Sequence, residues 1–458
     1  MRLRLPPPFV LLLGAVAVAA VATWIVPSGE YDRRDDAATG RRVVVAGTYH
    51  PVPSSPVSAF AAAVAVPRGF IDAADVIVVV LICGGAWVIV DRLGTLMRAV
   101  GQAAWRFRHN GLLLVPIVST LFATMGALEN MQEEIIPLVP VMLLLGRGVG
   151  VNGVTVVAMS AGAAIVGSAF GPVNPFQAGI AMKLAQLPPM SAAPLRWTAF
   201  VAAFTFWVAW TMWYARRTQV RDQGSGIRDQ ERRSEEPLIP DPRSPIPTGR
   251  DILIFLIAVA PIAAYVYGSV ALEWGFNELS GGFLIAGVIA GLLGGLGPTG
   301  TTLVYIEGMQ AMLPAALIIG VARSLSLVLT DGRVIDTILN GLATPLSNAP
   351  AAVAALLMIP VHGIIHVVVP SVSGQAVLTM PILVPLSDLL ALPRDATVLA
   401  YQMGAGLTEM LTPTNGGLMA VLLAAGVPYG RWIRFASVGI LLALIVGVAE
   451  IISVLSTG

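Results

Sequence analysis

Two long apolar runs of this chain are cut in mid-course by proline and glycine, and no other feature constrains the fold as much. The first reads Ala169-Phe170-Gly171-Pro172-Val173-Asn174-Pro175-Phe176, the second Leu411-Thr412-Pro413-Thr414-Asn415-Gly416-Gly417. Proline has no N–H to donate and its ring clashes with the preceding turn, so Pro172, Pro175, Pro413 and the flexible Gly416 act as structural breaks. In hydrocarbon only helices and closed barrels satisfy their own backbone. A broken helix is tolerated there only where protein, water or a bound ion serves the freed groups. Interrupted spans at matching positions of two halves are the sequence mark of a secondary transporter's binding site.

Composition agrees with a membrane location. Of 458 residues, 56% are hydrophobic and 12% charged, and the mean hydropathy is +0.81. A soluble domain has about twice that charged fraction. The lone Cys83 excludes an internal disulfide, and four scattered histidines make no convincing metal site. A formal net charge of +1 argues against a nucleic-acid partner. No Gly-x-x-x-x-Gly-Lys-Ser/Thr loop occurs, so no cofactor is expected and an ion or substrate gradient must drive transport. No nucleophile–base set points to an enzyme.

Apolar runs of roughly 20 residues give the spans, and arginine gathers on the cytoplasmic side. The first run, Phe9 to Val26, reads as a retained signal-anchor with its N-terminus inside. A polar loop, Glu30 to Pro67, then lies outside, and span two covers Asp75 to Val90. Leu112 to Leu145 forms two short arms around the acidic tip Glu129-Asn130-Met131-Gln132-Glu133-Glu134, with arginine at both outer ends. That pattern predicts a re-entrant hairpin; two short tilted spans with an external acidic loop are the alternative. The first broken span runs from Val151 to Leu187, and Trp197 to Tyr214 crosses back. Arg216 to Arg250 reads as a disordered cytoplasmic linker. In the second half, spans fall at Ile252 to Gly268, Gly281 to Leu296 and Leu303 to Leu329. A second hairpin, Ala351 to Leu390, has the tip Ser371-Val372-Ser373-Gly374-Gln375. The second broken span, Thr397 to Gly426, and the last span, Trp432 to Val454, follow. The expected fold is an all-α polytopic membrane protein with about nine spans plus two re-entrant hairpins, two of the spans being broken helices. Its divisions are residues 1–215, linker 216–250, and an inverted second repeat, 251–458.

The repeat is read from one offset. Pro140 and Pro381, Pro172 and Pro413, Asn174 and Asn415, and Glu134 and Gln375 each differ by 241 (381−140, 413−172, 415−174, 375−134). The broken spans cross in opposite directions, which gives two gates about one central site.

The candidate substrate- and ion-binding residues follow. Asn174 and Asn415 offer amide oxygens beside unwound carbonyls; the alternative is that they only cap the broken helices. Thr412, Thr414 and Ser168 add hydroxyls, and the half-helix N-termini near Phe176 and Gly417 favour a carboxylate. Glu133 and Glu134 at the first tip, and Glu409 before the second break, are costly in a membrane unless paired, protonated or wet. Ser371, Ser373 and Gln375 make the second tip. Arg323 is expected to pair with one of these glutamates, and His362 and His366, four apart, to have a packing or proton-linked role. The coupling ion is Na+ or H+.

Several stretches resemble the YfcC-type carriers of the C4-dicarboxylate anaerobic carrier-like group. These are Thr23-Trp24-Ile25-Val26-Pro27-Ser28-Gly29-Glu30-Tyr31-Asp32, Glu133-Glu134-Ile135-Ile136, Asn174-Pro175-Phe176, and Asp331-Gly332-Arg333-Val334-Ile335-Asp336-Thr337-Ile338. Pro370-Ser371-Val372-Ser373-Gly374-Gln375-Ala376, Leu378-Thr379-Met380-Pro381-Ile382 and Pro413-Thr414-Asn415-Gly416 complete the set. The resemblance spans nearly the whole chain outside the linker. It implies a multi-pass carrier of the bacterial inner membrane within the wider ion transporter superfamily, with paired hairpins, elevator-like movement and a homodimeric scaffold among the lipids. Such carriers are labelled both basic amino-acid antiporters and dicarboxylate carriers. The expected solute is a small amino acid, a basic one moved by exchange being one form of this, or a carboxylate, and the acidic first tip favours the amino acid; a C4-dicarboxylate carrier, and behind it a channel, are the alternatives.

Overall fold

The computed structural model describes residues 7–37, 40–106, 110–172, 174–188, 190–224, 248–272 and 274–457. Among them, ten helices are long and apolar enough to cross a membrane, and the only strands are two short antiparallel pairs. The chain is a helical, multi-pass membrane protein. Large apolar side chains face outward, Phe60 at 80% exposure and Ile25 at 76%, as a lipid-facing surface requires.

The first helix, α1 (Pro8–Ile25), is followed by strands β1 (Gly29–Glu30), β2 (Arg33–Asp36), β3 (Arg41–Val44) and β4 (His50–Pro51). The expected plain loop is thus partly ordered, and from Ala59 it is helical. α2 (Ala59–Asp72) and α3 (Ala74–Arg92) run on from each other with a bend at Ala73. Both pack along one 35-residue helix of the second half, Gly297–Asp331. Glycines let these helices touch: a Cβ on Gly85 would stand 2.2 Å from the Tyr305 ring, and one on Gly308 would stand 2.6 Å from the Gly84 carbonyl.

After the amphipathic α4 (Thr95–Arg106), α5 (Leu114–Glu129) ends at Asn130, whose φ of 58° places it in the left-handed region. Asparagine tolerates that conformation, so it can turn a helix end. The chain returns through a 3-10 turn, Glu133–Leu138, into α6 (Val139–Val149). α7 (Gly153–Phe170) contains a π-turn at Ala158–Gly162. A π-turn frees a carbonyl from the helical ladder, and here the Trp207 indole donates to the Ala158 carbonyl at 2.9 Å. After the first break, a turn at Pro175–Gly179 leads into α8 (Ile180–Leu184). α9 (Ala193–Gly224) carries helix past Tyr214, so the start of the expected linker is helical; residues 225–247 lie outside the described residues.

The second half holds α10 (Gly249–Ala271), opened by a Thr248–Asp251 capping box, α11 (Phe276–Leu293), α12 (Gly297–Asp331) and the amphipathic α13 (Ile335–Ala343). α14 (Ala351–Val368) and α15 (Val372–Leu389) form the second pair of arms. α16 (Arg394–Glu409), the second break, α17 (Gly416–Ala424) and α18 (Tyr429–Thr457) complete the chain. Element starts recur at the sequence offset: α7 and α16 differ by 241 (394−153), α4 and α13 by 240 (335−95). α11 stands where the first half has its strands.

The centre is α7 beside α16, each crossed by an arm at glycine. A Cβ on Gly126 would lie 2.0 Å from the Ala164 carbonyl, and one on Gly404 would lie 2.3 Å from the Ile359 carbonyl. α9 and α18 meet through Trp207, Trp210 and Phe435.

Candidate functional site

Both tips and the second break open onto one cavity of about 440 Å³. The first tip contributes Asn130, Gln132, Glu133 and Glu134; the second contributes Pro370 to Ser373. The break contributes Thr414 to Gly417, and Phe176 and Glu409 complete that side. Asp72, Asp75, Ile319, Arg323 and Trp274 line the other side.

Local sequence explains the placement. Met410 follows Glu409 at the end of α16, and Pro413 prevents the helix from continuing. Thr412 and Thr414 share a hydroxyl hydrogen bond of 2.7 Å, and the Thr414 hydroxyl also bonds the Val367 carbonyl at 2.9 Å. Asn415 caps α17: its Oδ1 accepts from the Leu418 N–H at 3.0 Å. Glu133 reaches the same helix end, for its Oε1 is 3.9 Å from where a Gly417 Cβ would be. A carboxylate beside a helix N-terminus is favourably placed.

The first break is sealed by side chains. Asn174 Oδ1 accepts from the N–H groups of Phe176 (2.9 Å) and Gln177 (2.8 Å), and its amide donates to the Gly126 carbonyl (2.9 Å) and the Ser168 hydroxyl (3.2 Å). The Ser168 hydroxyl, with one hydrogen to give, lies within reach of two acceptors, the Asn130 amide oxygen and Gln177 Oε1 (2.9 Å). Gln402, on α16, donates to the Gly171 carbonyl at 3.4 Å and accepts from Arg196 at 2.6 Å. Asn174 is fully buried.

A second polar chain starts at the cavity wall. Gln132 donates its amide to Glu409, whose other oxygen lies 3.8 Å from His366 Nε2. His366 Nδ1 is 2.9 Å from Gln375 Oε1, and Gln375 Nε2 donates to the His362 carbonyl at 2.8 Å. His362, His366 and Gln375 are fully buried, and Tyr401 packs edge-on against His362.

Of the residues singled out from sequence, Glu133, Glu134, Ser371, Ser373, Glu409, Thr414, Asn415 and Gly416 meet at the cavity. Thr412, Gln375 and Asn174 lie buried behind its wall. Pro172 is buried in the first break, and Pro175 opens the turn that Asn174 caps. The first half-helix end, near Phe176, has its N–H groups occupied by Asn174. One expectation is corrected. Arg323 pairs with Asp72 rather than with a glutamate, because the bend at Ala73 brings the end of α2 against α12. The Glu129 side chain lies outside the described ones. Gln132, Asn130, Asp72 and Asp75 were not picked out. The first two sit in the acidic tip but are neutral, and the aspartates stand at and just before the start of span two, far in sequence from either tip.

The family model of the C4-dicarboxylate anaerobic carriers matches residues 5–456. YfcC of Escherichia coli, whose name proposes basic amino acid antiport, is 29% identical over 94% of this chain and 93% of its own. An uncharacterised Haemophilus influenzae protein is 26% identical over 96% of this chain and 95% of its own. Among solved structures, the YdaH transporter of Alcanivorax borkumensis aligns at 15% identity and a TM-score of 0.41, covering 97% of this chain and 98% of its own. MtrF of Neisseria gonorrhoeae, described with a class of antimetabolite efflux pumps, aligns at 17% identity and 0.43, covering 98% of this chain and 94% of its own. The family match runs through both tips, both breaks and α2, α3 and α12, and the chain belongs to the C4-dicarboxylate anaerobic carrier family of membrane transporters.

Proposed function

We propose that the chain is a secondary active transporter that exchanges a small cationic amino acid across the bacterial inner membrane, driven by an ion or by counter-solute. The lining of the cavity carries this reading. Among the described residues it presents five carboxylates, Asp72, Asp75, Glu133, Glu134 and Glu409, against one arginine that Asp72 already engages. Such a lining attracts a cationic side chain and repels a bare dianion. The α-carboxylate of an amino acid would face the N-terminus of α17, at Gly416 and Gly417. The family supports a membrane transporter, and the name of the E. coli relative supports a cationic amino acid as the solute.

The two arm pairs act as re-entrant hairpins of an inverted repeat, and the two breaks form the mobile centre of an elevator-like unit. The α2, α3 and α12 assembly is the scaffold on which two copies pair. A second reading, a C4-dicarboxylate carrier, draws on the two helix N-termini that open on the cavity, at Ser371 and at Gly416. Both would hold carboxylates once the glutamates were protonated or ion-bound.

Counterflow in proteoliposomes decides between them. Vesicles preloaded with arginine should accumulate labelled arginine or lysine, and labelled succinate should stay at the level of empty vesicles. Succinate counterflow without arginine counterflow would establish the dicarboxylate reading instead.

A further inference from the structure

We propose that Glu409 and His366 form a one-proton site whose proton competes with the cationic solute, making the exchange a proton antiport. This rests on the cationic-solute reading above.

The argument is a count of donors and acceptors. The His362 carbonyl can only accept, so the Gln375 atom 2.8 Å from it must be the amide nitrogen. Gln375 therefore turns its carbonyl oxygen to His366 Nδ1, 2.9 Å away, and that nitrogen must carry a hydrogen. In a neutral imidazole, Nε2 is then a bare lone pair. It makes no hydrogen bond among the described residues and lies 3.8 Å from Glu409 Oε1. Without a proton, two acceptors face each other in a buried place. With one, held on either group, the contact becomes attractive.

Among the described residues only one other donor reaches the carboxylate, the Gln132 amide on its other oxygen. The groups around the pair come from several elements, and α18 brings Tyr429, whose hydroxyl donates to the Leu411 carbonyl. The first tip brings Glu133 and Glu134, and α14 brings His362. Tyr401 stands behind on α16, donating to the Val372 carbonyl at 2.6 Å. Asp72, Asp75 and the paired Arg323 close the far side of the cavity, and Tyr265 also lines it. Arg323 is thus the one cation among the described lining groups, and it is engaged elsewhere. A solute cation entering the cavity supplies the donor that the proton supplied, so the two exclude each other at Glu409.

The site also touches the parts that would move. Gln132 belongs to the first tip, His366 and Gln375 to the two arms of the second pair. The Glu409 backbone carbonyl accepts from Asn415 across the second break at 3.4 Å.

Two measurements on the full chain test this. The first needs no solute: infrared difference spectra of the protein in nanodiscs, recorded as pH is stepped. A titrating Glu409 band, carboxyl or carboxylate, that Glu409→Gln removes should change together with an imidazole band, and His366→Gln should displace its midpoint. Absence of that band, or a midpoint unmoved by His366→Gln, overturns the site. The second is arginine titration by calorimetry in two buffers of different ionisation heat. Arginine should release about one proton per molecule bound and bind more weakly as pH falls. Binding without proton release overturns the competition. If arginine does not bind while the two bands titrate together, the cationic-solute reading falls and the proton site stands.

Discussion

Asn174 joins the first break to the first arm: its amide donates to the Gly126 carbonyl, 2.9 Å away, while its oxygen caps the turn at Pro175. Asn415 is its counterpart in the second half by sequence offset, yet its bonds are fewer. It accepts one N–H at 3.0 Å and donates weakly at 3.4 Å. The first break is therefore locked by side chains within the protein. The second faces the cavity with Thr414, Gly416 and Gly417 on its surface.

This asymmetry predicts different costs for the two alanine variants. Asn174→Ala removes two cap bonds and both donations of the amide, to Ser168 and to the Gly126 carbonyl, which keeps only the Asn130 N–H, a loss of about 2–4 kcal/mol. Asn415→Ala removes one cap bond, about 1 kcal/mol. Thermal unfolding in detergent should rank Asn174→Ala well below Asn415→Ala, with Asn174→Asp between them, since aspartate keeps the cap and loses the donor. An equal or reversed order would mean that the first break is not held by this side chain.

Much of this arrangement was legible from residue order because proline and a membrane environment act locally. Pro172, Pro175 and Pro413 stand beside glycine or a capping asparagine or threonine and end their helices, whereas the lone Pro67, Pro314 and Pro360 sit inside continuous ones, and both breaks stand where they were placed. The first tip was marked by its glutamates for the same reason. What could not be read were pairings made by distant segments. Arg323 meets Asp72 only because α2 and α3 bend at Ala73 and lie along α12. The part played by Gln132 depends on Glu409, 277 residues away. Asn174 shows a further limit: residue type and position suit a ligand and a cap equally, and only the positions of the Phe176 and Gln177 N–H groups reveal the cap. The amphipathic α4 and α13 were passed over because a search for spans counts apolar length, and theirs is confined to one face.

Close glycine contacts give a second prediction. A Cβ at Gly126 or Gly167 would stand 2.0 Å and 2.1 Å from the Ala164 and Ala123 carbonyls, which are backbone atoms that cannot swing aside. Gly126→Ala and Gly167→Ala should each force α5 away from α7 and cost more than about 3 kcal/mol. Gly14→Ala is the control, because nothing lies within 4 Å of that position. Size-exclusion profiles should show loss of the folded peak for the first two and none for the third. A monodisperse Gly126→Ala protein of normal stability would show that the arm does not need this close crossing.

The Asp72–Arg323 pair supplies a test of the cavity's charge. Both side chains are partly open to solvent, 40% and 44% exposed, so the pair contributes about 0–1 kcal/mol to stability. Its larger effect is on the field that a solute meets. Arg323→Gln makes the lining one unit more negative, and Asp72→Asn makes it one unit more positive. A cationic solute should bind several-fold more tightly to the first variant and several-fold more weakly to the second. Both changes should shrink as salt is raised, because screening acts over about 10 Å at 0.1 M. Arginine binding measured at low and high ionic strength, beside unfolding temperatures that stay near the parent's, separates this from a structural effect. If both substitutions weaken binding alike and salt changes neither, the pair acts by shaping the wall, and the charge of the cavity does not select the solute.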